Sequence, residues 1–189
     1  MTRIIGGIAG SRVLASPAKV TRPTSDRIRE SIFNRLDALN LIENAKVLDL
    51  YAGTGALGLE AASRGAKQVV LVEQHKQALG GIIQNMKMIK AALLKEELEV
   101  DLKAEGRSVQ SFLNTSPAGF NLVFIDPPYD LSNEELEGNL TAIIQWLEPE
   151  AVVILERSSR TEAPNLPTGL KLDDSKSYGD TVTYWLSVS

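Results

Sequence analysis

Short apolar runs alternate with segments of helical periodicity along most of this chain, and no other feature limits the possible folds as strongly. The apolar runs predict strands at 46–51, 68–73, 98–104, 120–126 and 151–156. The periodic segments predict helices at 25–40, 57–64, 75–91, 109–113 and 133–147. Strands that are separated by helices pair in parallel, so the pattern predicts an α/β fold with a mostly parallel sheet.

The last two strand-like segments, near 170–176 and 181–188, are too close together for a helix to connect them. They therefore predict an antiparallel hairpin, which completes a seven-stranded sheet. A length of 189 residues suits a single domain of this kind. We expect the main domain to occupy 41–189, preceded by a basic N-terminal extension of loop and helix at 1–40.

Composition excludes several kinds of chemistry. The chain has no cysteine, which rules out disulfides, thiolate nucleophiles and cysteine-containing metal sites. His75 is its one histidine, so we expect no metal site. No apolar run approaches the roughly 18–20 residues of a membrane span, and the N-terminus lacks the apolar stretch of a signal peptide. A cytoplasmic protein that makes no membrane contact is therefore expected.

Charge is distributed unevenly along the chain. The net charge is −4, yet residues 1–36 contain seven basic and two acidic residues. The remaining residues contain 13 basic and 22 acidic ones. A basic arm on an acidic body suits a nucleic-acid partner, against which the net charge alone would argue. A solvated segment without a partner is the alternative interpretation.

A glycine-bearing turn joins the first strand to its helix. Gly53, Gly55 and Gly58 have the spacing G-x-G-x-x-G, which lets the backbone turn sharply and lets a ligand approach a helix N-terminus. Glu73 ends the second strand, where a carboxylate can accept hydrogen bonds from a ribose diol. The turn therefore predicts a nucleoside cofactor. The residues expected to bind it are Asp49, Tyr51, Ala52, Gly53, Thr54, Gly55 and Glu73.

Two observations favour S-adenosylmethionine over a nicotinamide dinucleotide. The carboxylate of Asp49 could hold the amino group of a methionine moiety, directly or through water, whereas it would repel a pyrophosphate. A dehydrogenase would also need a further substrate domain, for which little chain remains. It would need an acid–base residue as well, and His75 is poorly placed to supply one.

The segment Asp126-Pro127-Pro128-Tyr129 follows the fourth strand, so it should lie at the same edge of the sheet as the glycine turn. An exocyclic amine on a nucleobase is a poor nucleophile and must be held in line for attack. The Asp126 carboxylate and the Pro127 carbonyl can accept its N–H groups, and two successive prolines stiffen the turn. Tyr129 offers an aromatic face on which an unpaired base can stack. These four residues are the predicted catalytic group, and Asp126 is also expected beside the cofactor.

Together the two turns resemble those of amino-methyltransferases with the Rossmann-like class I fold. More narrowly, the chain resembles the RsmD family of small-subunit ribosomal RNA guanine-N2 methyltransferases. The matching stretches, in chain order, are 3–7, 22–34, 47–61, 126–129 and 178–181. They span nearly the whole chain. The Asp-Pro-Pro-Tyr turn alone is shared with adenine, cytosine and glutamine-amide methylases, so the N-terminal stretches narrow the resemblance to this family.

The resemblance implies an enzyme that transfers a methyl group from S-adenosylmethionine to the exocyclic N2 of a guanine in 16S ribosomal RNA. It also implies that the N-terminal segment lies over the cofactor and faces the RNA. The residues expected at that edge are Arg3, Arg12, Arg22, Thr24, Arg27 and Arg29. Two positions depart from the family pattern. Residues 8–12 hold fewer arginines than is usual after the double glycine, and Ser108 replaces an acidic or amide side chain near the adenine, where its hydroxyl or N–H could bind the cofactor.

Other functions fit parts of this pattern. A DNA adenine-N6 methyltransferase or a protein glutamine methyltransferase would use the same two turns. A non-catalytic RNA-binding assembly protein would use the basic arm equally well. For the ribosomal RNA methylation that we favour, naked RNA and an assembly intermediate carrying ribosomal proteins are both consistent substrates, and a monomer is expected.

Overall fold

The computed structural model describes residues 2–16 and 26–189, and the chain alternates between helix and strand through most of the second range. The helices are α1 (Asp26–Ala38), α2 (Ala56–Ser63), α3 (Lys76–Leu94), α4 (Val109–Leu113) and α5 (Asn133–Ile143). The strands are β1 (Lys46–Leu50), β2 (Gln68–Val72), β3 (Asp101–Glu105), β4 (Phe120–Ile125), β5 (Leu147–Ser158), β6 (Leu170–Tyr178) and β7 (Thr181–Val188).

The seven strands form one sheet in the order β3-β2-β1-β4-β5-β7-β6. The five strands β3, β2, β1, β4 and β5 are parallel, while β7 runs antiparallel to both β5 and β6. The predicted mostly parallel sheet with a C-terminal antiparallel hairpin is confirmed. The chain winds outward in one direction from β1 to β3 and then returns to place β4 on the other side of β1. Ligands bind at such a switch point, at the carboxyl ends of the strands.

Alternate residues of the parallel strands point to two different apolar layers. Val47, Leu71 and Phe124 pack in one layer against α1, α2 and α3. Leu48 and Ile125 pack in the other layer with α4 and α5. Burial on both faces explains why the strands are continuous apolar runs rather than alternating ones.

The described part of the N-terminal extension shares the first of these layers. Ile4, Ala9 and Leu14 are buried in it, together with the apolar face of α1. The carboxylate of Glu60, buried in α2, accepts hydrogen bonds from the backbone N–H groups of Ile5 at 2.6 Å and Gly6 at 2.8 Å. The hydrophobic core is therefore continuous across residue 40, where the sequence suggested a division.

Several predicted boundaries are wrong: β3 begins at Asp101 rather than at 98, α3 ends at Leu94 rather than at 91, and β5 covers Leu147–Ser158 rather than 151–156. The helix predicted at 133–147 ends as an α-helix at Ile143 and continues as one 3-10 turn, Ile144–Trp146. Leu147 already belongs to β5 and pairs with Phe120, after which the register shifts before Val152 pairs with Leu122. The helical periodicity ran past the true end because the apolar side chains at the start of β5 continue the same spacing.

Candidate active site

The carboxyl ends of four neighbouring strands open into a cavity of about 720 Å³. Each strand end brings one acidic side chain to its lining: Glu73 after β2, Asp49 in β1, Asp126 after β4 and Glu156 in β5. Strand pairing and alternation place all four on the sheet face that α1, α2 and α3 cover. The parallel sheet thus brings together carboxylates that are far apart in sequence.

The glycine turn forms the β1 side of this cavity. Tyr51, Gly53 and Gly55 have positive φ angles of 60°, 57° and 78°, so the backbone bends sharply before α2 begins. Gly58 is required for a different reason, which is close packing. A Cβ at that position would lie 2.9 Å from Val69 Cγ1 and 3.1 Å from Asp49 Cβ. The sequence therefore uses its third glycine to let α2 approach the sheet.

Asp49 is fully buried beneath the turn, and its Oδ2 accepts a hydrogen bond from the N–H of Gly58 at 2.8 Å. Burial, helped by the nearby carboxylates of Asp126 and Glu73, raises the pKa of Asp49 to about 7, while the hydrogen bond from the Gly58 N–H opposes the shift. A cationic group placed here would stabilise the ionised form. This site therefore fits the amino group of a methionine moiety, as the sequence predicted.

Glu73 is held firmly at the end of β2. Its Oε2 accepts from the N–H of Gly53 at 2.9 Å, which ties it to the glycine turn. Its Oε1 accepts from the N–H of His75 at 2.7 Å and lies 2.8 Å from His75 Nδ1. Oε2 retains a lone pair for a ligand, so the arrangement fits a hydroxyl of the ribose that we expected at Glu73.

Three further residues predicted to bind the cofactor, Ala52, Thr54 and Ser108, also line the cavity. The Ser108 hydroxyl caps α4 by accepting from the N–H of Ser111 at 3.2 Å. The hydroxyl of Tyr51 accepts from Asn139 Nδ2 at 2.7 Å, and burial, followed by the charge of Glu135, raises the pKa of Tyr51 to about 12. The Tyr51 hydroxyl is therefore neutral and held in place by Asn139, and the side chain lines the cavity.

The predicted catalytic turn lies on the β4 side of the cavity. Asp126 is half-buried and Pro127 is buried, while Pro128 and Tyr129 are exposed. The carbonyl of Pro128 accepts from the N–H of Leu131 at 3.1 Å, which closes the turn. With 51% of its surface exposed at the cavity lining, Tyr129 can stack on a planar ligand. Asp126 and Asp49 lie on adjacent strands, so the two predicted parts of the site meet.

The structure separates the predicted RNA-contacting residues into three groups. Arg22 and Thr24 lie outside the described residues. Arg27 is exposed. Arg3 is largely exposed, and its Nε lies 3.8 Å from Asp26 Oδ2. Arg12 is half-buried, and its Nη1 donates to the carbonyl of Ile8. None of these three lines the cavity as described.

Arg29 is the clear departure, because its side chain is completely buried in α1 and lines the cavity. Its Nη2 donates to the carbonyl of Arg3 and, at 3.0 Å, to Asp26 Oδ1. Burial lowers the pKa of Arg29, although the charges of Glu60, Asp26 and Glu156 oppose the shift. Arg29 thus ties the N-terminal segment to α1 and lies in the interior of the site, and its predicted contact with the substrate stays a prediction.

Sequence reasoning missed Glu156 and Arg157, which are both buried at the end of β5 and line the cavity. Arg157 Nη2 donates to the carbonyl of Leu131 at 3.1 Å and to Asn133 Oδ1 at 2.9 Å, so it holds the segment that follows the Asp-Pro-Pro-Tyr turn. The available signal was the Glu-Arg pair at the carboxyl end of a buried strand, the same position that identified Asp126.

Two negative findings apply to the described residues. Within 2–16 and 26–189, no cluster of three or more acidic or histidine side chains could hold a metal ion. No helix in those ranges is long and apolar enough to cross a membrane.

The strand order, with a glycine turn after β1 and the Asp-Pro-Pro-Tyr turn after β4, defines a methyltransferase of the Rossmann-like class. Comparison with known proteins then gives the family. The chain belongs to the family described as "Conserved hypothetical protein 95", whose model matches residues 2–187.

Named relatives and solved structures agree with this assignment. The chain is 35% identical over 178 residues to "Ribosomal RNA small subunit methyltransferase D" of Escherichia coli strain K12, covering 94% of this chain and 85% of that protein. It superposes on the E. coli protein yhhF with a TM-score of 0.85 and 31% identity, over 100% of this chain and 98% of that one.

A magnesium protoporphyrin IX methyltransferase from Synechocystis PCC 6803, solved with bound S-adenosylmethionine, shares the fold alone. Its TM-score is 0.65 at 12% identity, over 86% of this chain and 79% of that one. The comparisons confirm the predicted RsmD-type family and fold class, and they agree with the predicted cofactor.

Proposed function

We propose that this chain transfers a methyl group from S-adenosylmethionine to the exocyclic N2 of a guanine in small-subunit ribosomal RNA. One observation carries the proposal: a single cavity joins a glycine turn fitted to a nucleoside with an Asp-Pro-Pro-Tyr turn fitted to an exocyclic amine. The named E. coli relative acts on the RNA of the small subunit, and this supports the choice of substrate.

The cofactor side of the cavity is assigned to the residues around β1 and β2. Asp49 holds the amino group, because a buried carboxylate with a pKa raised to about 7 is stabilised by an adjacent cation. Glu73 accepts from the ribose hydroxyls, and the backbone of 51–55 approaches the cofactor closely because of its left-handed turns. When bound, S-adenosylmethionine supplies an electrophilic methyl group on a sulfonium.

The base is assigned to the turn after β4. Asp126 and the Pro127 carbonyl accept hydrogen bonds from the target amine and aim its lone pair toward the β1 side of the cavity. Tyr129 stacks on the base after it has left the RNA stack. Orientation does most of the catalytic work, and Asp126 is the acceptor nearest the amine for the proton that is released.

The RNA is assigned to the exposed and half-buried basic side chains of the N-terminal segment. Arg3, Arg12 and Arg27 are available to phosphates, and Arg22 and Thr24 stay predicted contacts outside the described range. Their contribution should weaken with salt, because each phosphate contact releases counterions.

A transfer assay tests this proposal. The protein is incubated with methyl-labelled S-adenosylmethionine and small ribosomal subunits, or assembly intermediates, from cells that lack the enzyme, and the RNA is then digested to nucleosides. Label in N2-methylguanosine at one site is the expected result. Matched reactions with DNA and with total protein test the adenine-N6 and glutamine alternatives. Label in either of these, with none in the RNA, would overturn the proposed substrate.

A further inference from the structure

Glu156 ends the buried part of β5 with a carboxylate that lines the cavity, and only 4% of its surface is exposed. Its Oε1 is buried and accepts no hydrogen bond from any residue that the structure describes. A carboxylate oxygen that is buried without a donor is costly, and such atoms in native sites often indicate a missing ligand. The geometry thus leaves an acceptor inside the cavity that the proposed chemistry has not used.

Strand pairing fixes where this acceptor lies. Leu155 pairs with Ile125, so Glu156 is adjacent to Asp126 and on the same face of the sheet. β5 lies on the side of β4 that is opposite β1. A base whose amine is held at Asp126 and directed toward the cofactor side therefore extends its ring toward Glu156.

The charged groups near Glu156 do not form a hydrogen bond with its Oε1 in the described ranges. Burial, followed by the charge of Asp126, raises the pKa of Glu156 well above its ordinary value, while the guanidinium of Arg29 opposes the shift. Arg29 uses Nη2 for Arg3 and Asp26, and its Nε and Nη1 have no hydrogen-bond partner in the described ranges. Arg29 thus compensates charge without occupying Glu156 Oε1. A donor from a ligand would stabilise the ionised carboxylate directly.

The bases differ at the atom beside the exocyclic amine. In guanine the N2 amine is flanked by N1–H, a hydrogen-bond donor, and by N3, an acceptor. In adenine and cytosine the ring nitrogen beside the amine is an acceptor. We propose that Glu156 accepts a hydrogen bond from N1–H of the target guanine and so selects guanine at this site. This inference rests on the proposed function, because it specifies how the base held at Asp126 is recognised.

A base analogue tests Glu156 separately from Asp126. 2-Aminopurine keeps the amine on C2 but lacks both N1–H and O6, so its N1 is an acceptor. Once the labelled nucleotide has been located with wild-type protein, small subunits are reconstituted with guanosine or 2-aminopurine at that position. The kcat/KM ratio for guanosine over 2-aminopurine is then measured for wild type and for Glu156→Gln. The loss of O6 affects both enzymes, so the change in ratio reports on N1.

The expected result is a ratio that falls at least about tenfold in Glu156→Gln, because the glutamine amide can donate to the N1 of 2-aminopurine. Glu156→Met, which offers neither donor nor acceptor, should lower the ratio by slowing guanosine without improving 2-aminopurine. Exposed Glu162 supplies the matched control, since Glu162→Gln should leave the ratio unchanged.

Two outcomes would overturn the assignment. One is an unchanged ratio in Glu156→Gln and Glu156→Met with activity on both substrates retained. The other is an equal fall on both substrates, which would make Glu156 a structural partner of Arg29. Failure of the proposed function is distinguishable, because wild-type protein would then label no guanosine before any variant is compared.

Discussion

The two sides of the cavity differ in how completely the chain satisfies its own polar groups. On the β1–β2 side, Asp49 and Glu73 accept backbone N–H groups of the glycine turn at 2.8 and 2.9 Å. On the β4–β5 side, buried nitrogens of Arg29 and Arg157 and an oxygen of Glu156 have no hydrogen-bond partner among the described residues. On the β1–β2 side, where we propose that the cofactor binds, the chain itself supplies the hydrogen-bond partners. On the β4–β5 side, where we propose that the base binds, buried polar atoms lack partners that a nucleobase could supply.

Because of this difference, we expect substitutions to affect cofactor binding and base recognition separately. Changes on the β4–β5 side should reduce methyl transfer with little effect on cofactor affinity. Changes on the β1–β2 side should reduce cofactor affinity first.

Replacing Asp126 with alanine should abolish most transfer and leave cofactor affinity close to wild type. The variant loses the acceptor that orients the amine, and such groups contribute about 10²–10⁴-fold to rate. Single-turnover transfer and calorimetric titration with S-adenosylmethionine measure the two properties. Full activity in this variant would contradict the role of Asp126, and a large fall in affinity would contradict the separation of the two sides.

Replacing Asp49 with asparagine should weaken cofactor affinity in a pH-dependent way. With a pKa of about 7, Asp49 gains charge as pH rises from 6 to 8, so wild-type affinity for the cationic amino group should rise through that range. The asparagine variant should bind about 10–100-fold more weakly at pH 8 and lose this part of the pH dependence. Titrations at both pH values measure it, and the exposed Asp173→Asn serves as control.

The same substitution has a stability signature with a definite sign. The pKa of Asp49 is higher in the folded protein than its ordinary value of 3.8, so between about pH 4 and pH 7 the folded state binds the extra proton. The contribution of Asp49 to the free energy of unfolding is therefore fully present below pH 4 and is lost as pH rises toward 7. The loss is roughly 1.4 kcal/mol for each unit by which the folded and unfolded pKa values differ. Thermal melts of the asparagine variant should lack that loss. A melt profile identical to wild type would contradict the raised pKa.

Replacing Gly58 with alanine tests the packing of the glycine turn. The new Cβ would meet Val69 at 2.9 Å and Asp49 at 3.1 Å, and neither neighbour is a flexible chain end. We expect a loss of about 1–3 kcal/mol of stability and a weaker cofactor complex. Gly80→Ala in α3 is the matched control, because its Cβ would meet nothing within 4 Å. That change should stabilise the helix by about 0.5–1 kcal/mol. Equal melting temperatures for the two variants would contradict the packing argument.

The two sides of the cavity also differed in how far the sequence predicted them. The cofactor side depends on local signals: glycines in fixed spacing and an acidic residue that ends the next strand. Gly53 and Glu73 line the cavity where the pattern placed them, whereas Gly55 and Gly58 shape the turn without lining it. The base side depends on contacts between distant segments. Glu156 was interpreted only as the end of an apolar strand, because nothing local shows that its neighbour in space is Asp126.

The complete burial of Arg29 was not predicted, for a related reason. Arginine on a helix is usually solvated, and the sequence around it shows alternating charges. Its burial depends on the carbonyl of Arg3 and on the carboxylates of Asp26, Glu60 and Glu156, three of which come from outside α1. Most strands and helices could be predicted because periodicity is local, but a buried ion network is a property of the assembled core.

The smallest effect is expected at the outer edge of the N-terminal segment. Arg27 is exposed on α1, the helix whose Ile28 and Arg29 line the cavity, so we expect RNA that enters the cavity to pass close to it. Arg27→Gln should weaken RNA binding only a few-fold and reduce the slope of log affinity against log salt by about 1, with cofactor affinity unchanged. Lys95→Gln removes the same charge at the far end of α3, on the opposite edge of the sheet, and should leave the slope unaltered. If the two variants have equal slopes of log affinity against log salt, the RNA does not contact Arg27. If only Arg27→Gln reduces the slope, RNA contacts α1. The RNA-binding surface would then continue from the β4–β5 side of the cavity to the helix that carries Arg29, whose charge interacts with Glu156.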